Sequence, residues 1–170
     1  MIDVVDELAR ARIGATYNQY AHSELRRTRL CDYLTLHARA NTVLVGEAAG
    51  YRGARVSGVP FTSERQLTES GPAEATATIV HRVLRELGIE TDVLLWNVVP
   101  THPGTATSNR RPTRTEVLDA RTFLDEVTRG RRVVAVGRLA AEVLDAPYVR
   151  HPSHGGAVEF AAGLRRTLAL

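Results

Sequence analysis

Three short, almost wholly apolar runs govern what this chain can fold into. They are residues 41–46 (NTVLVG), 92–99 (DVLLWNVV) and 131–137 (RRVVAVG). Apolar runs of this length, closed by glycine or polar residues, read as strands buried on both faces of a parallel sheet. A shorter fourth strand reads at 148–152 (YVRHP). Helical patterns fill the intervals. Residues 3–39 read as two helices broken near Gly14, with Val5, Leu8 and Ile13, then Leu25, Leu30, Tyr33 and Leu34, at helical spacing. A helix over 73–88 places Ile79, Val80, Val83, Leu84 and Leu87 on one face, and Gly88 closes it. Thr113 and Glu116 form a capping-box pattern, so a helix is expected from there to about Arg129, before Gly130. A short helix at 138–144 and a last one at 157–168 complete the pattern. Strands alternating with helices predict an α/β fold: a parallel sheet with helices on both faces. One domain over 1–170 is expected, with the N-terminal helical segment 1–40 packed on it.

Composition removes several chemistries. The chain has 22 arginines, no lysine, one cysteine (Cys31) and a formal net charge of +3. Without lysine there is no lysine Schiff base and no Walker A loop. One cysteine excludes an internal disulfide, a cysteine-ligated zinc site and a cysteine-held iron–sulfur cluster. The all-arginine usage itself reads as the mark of a GC-rich genome. The start, MIDVVDELARARIG, is charged from its third residue and lacks the apolar core of a signal peptide. No apolar run approaches the ~20 residues that span a bilayer. A soluble monomer in the cytoplasm, nucleoid-associated if bacterial and without a membrane partner, is therefore the expectation. Its modest basicity is compatible with a nucleic-acid partner.

In parallel α/β sheets, ligands bind at the carboxyl ends of the strands. That rule gathers residues 46–61, 97–112, 137–138 and 151–156 into one mouth, and these are also the segments richest in glycine and polar residues. Glu47 is the only acid between Asp32 and Glu64, and either ties its loop together or acts on a ligand. Asn97 interrupts an apolar strand. A buried amide left unpaired costs about 1–3 kcal/mol, so it bonds either to neighbouring backbone or to the edge of a bound base, where it offers both donor and acceptor. His151 ends the fourth strand in HPSHGG, as a cap or as a group presented outward. Phe61, in a polar loop, is either an anchor on the core or a stacking surface for a flat ring. Arg110, Arg111 and Arg114 form a basic run that is either a solvated patch or a set of phosphate contacts. A zinc site of His102, His151 and His154 lacks a completing ligand, and no GxSxG elbow is present.

Together these residues resemble the uracil-DNA glycosylase superfamily, from about Val43 to Phe160. The matching motifs are Gly46-Glu47-Ala48-Ala49-Gly50, Pro60-Phe61, Asn97-Val98-Val99, Asn109-Arg110-Arg111-Pro112 with Glu116, and His151-Pro152-Ser153. The first is nearest to the G-E-A-P-G of the thermostable-type (family 4) branch, although this chain lacks that branch's cluster cysteines. The resemblance implies a three-layer α/β/α fold around a four-stranded parallel sheet, with no cofactor and no metal. It implies a monofunctional enzyme that flips uracil out of DNA, hydrolyses its N-glycosidic bond and leaves an abasic site without lyase cleavage. Carried over, Phe61 stacks on the base, Asn97 reads its edge and His151 donates to the developing uracil anion. Amides around Gly46, Glu47 and Ala48 face the same oxygen, and Glu47 or a loop group positions the water.

The departures are specific. Ala48 stands where efficient families place an Asp, and Ala49 where the motif has proline. Gly50 stands where a tyrosine excludes thymine's methyl, which leaves adjacent Tyr51 to substitute. Gly155 aligns with the wedge leucine, leaving His154 or Val158 to fill the gap in the DNA beside Ser153. The loop 108–111 lacks the nucleophilic histidine of a DNA-cross-linking subgroup, with His102 the nearest histidine. The alternatives are a glycosylase for another deaminated or mismatched base, hypoxanthine or xanthine among them, and a non-catalytic module that binds uracil-containing DNA.

Overall fold

The computed structural model describes residues 2–170, so the first residue of the expected domain lies outside them. In chain order the elements are α1 (Ile2–Arg10), α2 (Glu24–Leu36), β1 (Thr42–Ala48), α3 (Ala54–Ser57), α4 (Glu64–Thr68), α5 (Ala75–Glu86) and β2 (Val93–Val99). Then follow α6 (Arg114–Asp119), α7 (Arg121–Thr128), β3 (Arg132–Val136), α8 (Arg138–Val143), β4 (Tyr148–Val149) and α9 (Ala157–Leu168). The strands form one all-parallel sheet in the order β2-β1-β3-β4.

The apolar runs work as a two-sided core because strand side chains alternate between faces. Val43 and Val45 of β1, Leu94, Trp96 and Val98 of β2 and Ala135 of β3 pack with α1, α2, α7 and α8. Leu44, Leu95, Val134 and Val136 face the other way, against α5 and α9. The result is the expected α/β/α layering. β1 lies inside the sheet, in register with β2 (Gly46 beside Asn97) and with β3 (Val45 beside Ala135).

Several boundaries differ from the sequence reading, each for a local reason. The break near Gly14 is a whole segment, 11–23, rather than a point. The Asn18 amide donates to the Leu8 and Ala11 carbonyls at 2.7 and 3.0 Å, closing α1, and Ser23 then caps α2. The loop 46–72 contains α3 and α4; a Ser63–Gln66 capping box starts α4. β1 runs on through Glu47 and Ala48. The helix expected to reach Arg129 turns at Ala120, where Phe123 N–H bonds three residues back and splits it into α6 and α7. The fourth strand shortens to two residues because the chain turns away at His151.

The Thr113–Glu116 capping box forms as expected and does more than cap. Glu116 is 1% exposed. Its carboxylate accepts from both Arg110 terminal nitrogens (2.8 and 2.6 Å) and from Thr113 N–H (2.8 Å). The Glu116 stem also packs on Gly14, where a Cβ would stand 2.5 Å from Cγ. The N-terminal segment is laced to the loop after β2: Tyr17 and His102 exchange backbone hydrogen bonds at 2.8 and 3.0 Å. Gln19 donates to the Pro100 carbonyl at 2.8 Å, and the Thr16 and Thr101 hydroxyls are 2.6 Å apart. Arg110 holds the Glu116 carboxyl at about 2, below its ordinary 4.5. A depressed carboxyl stabilises the fold above the unfolded value, and that stability is lost as pH falls from 4.5 through about 2. Glu116→Ala is expected to cost about 2–3 kcal/mol in urea unfolding at neutral pH, the low end for a buried pair since Arg110 is partly solvated. The same variant should flatten the acid dependence of stability in that window.

Candidate active site

The carboxyl ends of β1, β2 and β3 open into a cleft of about 390 Å³, within the usual range for a small-molecule site. Its walls are side chains seated on bare backbone. A Cβ at Gly46 would stand 2.2 Å from Phe61 Cζ and 3.0 Å from Asn97 Oδ1, so the ring and the amide meet directly over the β1 main chain. A Cβ at Gly137 would stand 3.3 Å from the His151 Cβ. Gly137 itself has φ +89°, a left-handed conformation that glycine adopts freely, and turns β3 into α8.

Phe61 is 7% exposed and has φ +52°. A bulky side chain in that region is strained by about 1–2 kcal/mol and stays there only if its surroundings hold it. They do: Ser57 Oγ donates to the Thr62 carbonyl at 2.6 Å and accepts from Val59 N–H at 3.1 Å. Tyr20 and Arg26 brace the turn from behind, donating to the Gly58 and Val56 carbonyls. Asn97 is 3% exposed and lines the cleft, and among the described residues its amide has no hydrogen-bond partner.

His151 lines the cleft, and Ser153 lies at hydrogen-bond distance on its far nitrogen. Ser153 N–H donates to Nδ1 at 3.2 Å, and Ser153 Oγ lies 2.8 Å from the same atom. An Nδ1 that accepts a backbone N–H carries no proton, so the proton sits on Nε2. Burial, and then the neighbouring His154, push the His151 pKa below its ordinary value. At neutral pH it is therefore an uncharged imidazole with one free N–H donor.

Glu47 also lines the cleft, half-buried at the end of β1. Desolvation raises its pKa, Arg111 opposes that and Glu142 adds to it. Ala48 and Ala49 contribute backbone beside it. Ser153 and His154 complete the rim, His154 with φ +52°, while Val158 lies on the exposed face of α9.

Five expected residues fall outside the cleft wall, of which Gly46 lies beneath Phe61 and Asn97. Tyr51 is held through its N–H by Asn109 Oδ1 at 2.9 Å and its ring pairs with Arg52, so it does not take the place expected for it. Arg111 is ion-paired with Glu142, Arg114 opens α6 at the surface, and Gly155 lies in the turn beyond His154. Arg110 does reach the wall, but with its guanidinium committed to Glu116. His102 is fully buried with its ring nitrogens each 2.7 Å from a carbonyl, those of Ala49 and Thr105, so it braces the loop and does not converge with His151 and His154.

Sequence reasoning missed Glu74 in the cleft wall, and placed Arg138 in the mouth without giving it a role. Arg138 stands directly after a strand-ending glycine, which is a usable signal; Glu74 had only its position ahead of a helix. A second cavity, about 670 Å³, is lined by Tyr33, His37, His81 and Glu90. Their polar groups are spent on each other and on backbone: Leu95 N–H donates to Tyr33 Oη at 2.6 Å, and His81 sits between Glu90 and Thr62 at 3.0 Å each.

The fold and the site define an α/β protein whose cleft, at the carboxyl end of its sheet, is lined by an aromatic ring, an amide, a histidine and two carboxyls. A model of the uracil DNA glycosylase superfamily matches residues 34–166, and the chain belongs to that superfamily. A crystal structure of wild-type SMUG2 from Pedobacter heparinus is similar across 99% of this chain and 95% of that one, with a TM-score of 0.67 at 13% identity. A search of curated proteins finds no match.

Gly46→Ala tests the seating of the ring. The added methyl cannot coexist with Phe61 Cζ, so a crystal structure of the variant should show the ring displaced from the β1 backbone with the sheet register unchanged.

Proposed function

We infer that the protein is a monofunctional uracil-DNA glycosylase that hydrolyses the N-glycosidic bond of a flipped deoxyuridine and leaves an abasic site. The observation that carries this is Asn97: a buried amide with no protein partner, beside a strained aromatic ring and a neutral histidine with a free N–H. The amide lines the cleft with its donor and acceptor uncommitted, and a uracil edge supplies the acceptor and the donor that match them. Cleavage leaves an electron pair on the departing base and positive charge on the sugar. His151 Nε2–H donates to the carbonyl oxygen that takes up the negative charge, and amides at the end of β1 add to it. Phe61 stacks on the ring. Glu47 stands at the strand end, where a carboxylate orients water and favours positive charge on the sugar.

Phosphate contacts fall to the rim. Arg114 is exposed and outside the ion pairs that hold Arg110 and Arg111, and the turn 153–155 offers Ser153, His154 and backbone amides. His154, at the cleft edge, is the candidate to fill the gap left in the DNA. The reading implies a cytoplasmic monomer acting without a cofactor. With Cys31 the chain's only cysteine, it also implies a protein near the G-E-A-P-G branch in motif but without its cluster.

A panel of oligonucleotides carrying uracil, hypoxanthine, xanthine or a mismatched base, treated with alkali after incubation, tests the reading. Uracil strands should become alkali-labile without metal and remain uncut before alkali. His151→Ala and Asn97→Ala should each slow single-turnover cleavage by roughly 10²-fold or more. Preferential cleavage at another base would select a glycosylase of different specificity, for which the Ala48 and Gly50 departures leave room. Tight binding of uracil-containing DNA with no abasic product would instead select a non-catalytic module.

A further inference from the structure

Hydrolysis requires a water at the anomeric carbon and a group that takes its proton. The methyl of Ala48 can do neither. The cleft wall contains two carboxyl groups, Glu47 and Glu74, in different surroundings. Glu47 lies in the field of Arg111 and Glu142, which form a surface ion pair. Among the described residues nothing hydrogen-bonds to or ion-pairs with the Glu74 carboxyl, and burial alone raises its pKa. Glu74 stands at the N-cap position of α5 but makes no capping hydrogen bond with its side chain. Ser, Thr, Asp and Asn are the residues that serve that position, so the helix does not account for this carboxyl.

The β1 loop does make room for it. A Cβ at Gly50 would stand 2.0 Å from Glu74 Oε1, and one at Gly53 would stand 2.2 Å from Oε2. Two residues without side chains thus seat a carboxyl at the cleft, as Gly46 seats Phe61 and Asn97 and as Gly137 seats His151. Among the described residues, the charged and titratable groups nearby make no ion pair with the Glu74 carboxyl, and Arg138 across the cleft is exposed. On the same loop, Arg52 lies over the Tyr51 ring and Arg55 over the Tyr17 ring. Across the cleft are Glu47, Arg138, His154, neutral His151 and Arg110, the last committed to Glu116.

We propose that Glu74 is the catalytic base: its carboxylate takes a proton from the water whose oxygen bonds to the anomeric carbon as the glycosidic bond breaks. The bond's electron pair leaves with the base, the water oxygen becomes the hydroxyl of the abasic sugar, and the proton passes from Glu74 to the departed base anion. The proposal rests on the reading of the chain as a glycosylase. A carboxylate partly withdrawn from water and joined to no cation by an ion pair is a stronger base than a fully exposed one, which suits proton transfer.

The test is single-turnover cleavage of a uracil oligonucleotide across pH, with affinity for a non-cleavable analogue measured separately. Glu74→Gln should lower the rate by about 10²-fold or more, leave that affinity unchanged and abolish the rise in rate as pH increases through the acid range. Glu47→Gln should lower the rate yet keep that rise. Gly50→Ala, whose methyl claims the space of Oε1, should lower the rate at least about tenfold with a near-native Tm. The proposal is overturned if Glu74→Gln stays within about threefold of the wild type, or if rate and affinity fall together; the glycosylase reading then survives. If the wild type releases no base from any oligonucleotide in the panel, that reading falls, and the proposal with it.

Discussion

At the carboxyl end of the sheet, side chains of the cleft rest directly on main chain: Phe61 and Asn97 over Gly46, Glu74 over Gly50 and Gly53, and His151 over Gly137. The contacts of Phe61 with Gly46 and of Glu74 with Gly50 and Gly53 are closer than a Cβ on the backbone beneath would permit, and those of Asn97 and His151 would be tight. Among the described residues, the Asn97 and Glu74 side chains have no protein hydrogen-bond partner, and Phe61 keeps a strained backbone conformation that the bonds of Ser57 hold. Such a site draws its stability from elsewhere. Here it comes from the two apolar layers either side of β1, where Trp96, Leu44, Leu94 and Leu95 are almost wholly excluded from water. The sheet supplies rigidity, and its strand ends spend some of that stability on preorganisation.

The opposite lip of the cleft is held by a different device. Arg110, Glu116 and Gly14 lock the loop after β2 to α6 and to the N-terminal segment, and buried His102 ties the same loop to Ala49. This explains why two of the three arginines read as a basic patch are not free cations. Their charge goes into ion pairs that hold the loop, and under the proposed function Arg114 and the backbone of the turn 153–155 are left to meet a polyanion. In a chain without lysine, such contacts fall to arginine and to amides.

Much of this was legible in the sequence because it is local. The apolar runs, the Thr113–Glu116 capping box, Gly88 as a helix stop and the span of α9 all follow from neighbours a few residues apart. The mouth was legible too, since the strand-end rule depends only on strand direction, and it gathered Glu47, Phe61, Asn97 and His151 correctly. What was not legible is long-range. Nothing near Glu74 in the sequence says that its carboxyl will fill the space above Gly50. Nothing near Arg110 says that the capping glutamate will also take its guanidinium. The turn at Ala120 and the small helices in the loop 46–72 were missed because they answer to packing, with no glycine or proline marking the first.

The central claim is that a base removed from DNA sits in this cleft, and a crystal structure with DNA containing a non-cleavable deoxyuridine measures it directly. The account predicts the uracil out of the stack, its face on Phe61, its Watson–Crick edge on the Asn97 amide and a carbonyl oxygen at His151 Nε2. A uracil still stacked in the DNA, or lodged in the second cavity beside Tyr33 and His81, would contradict it.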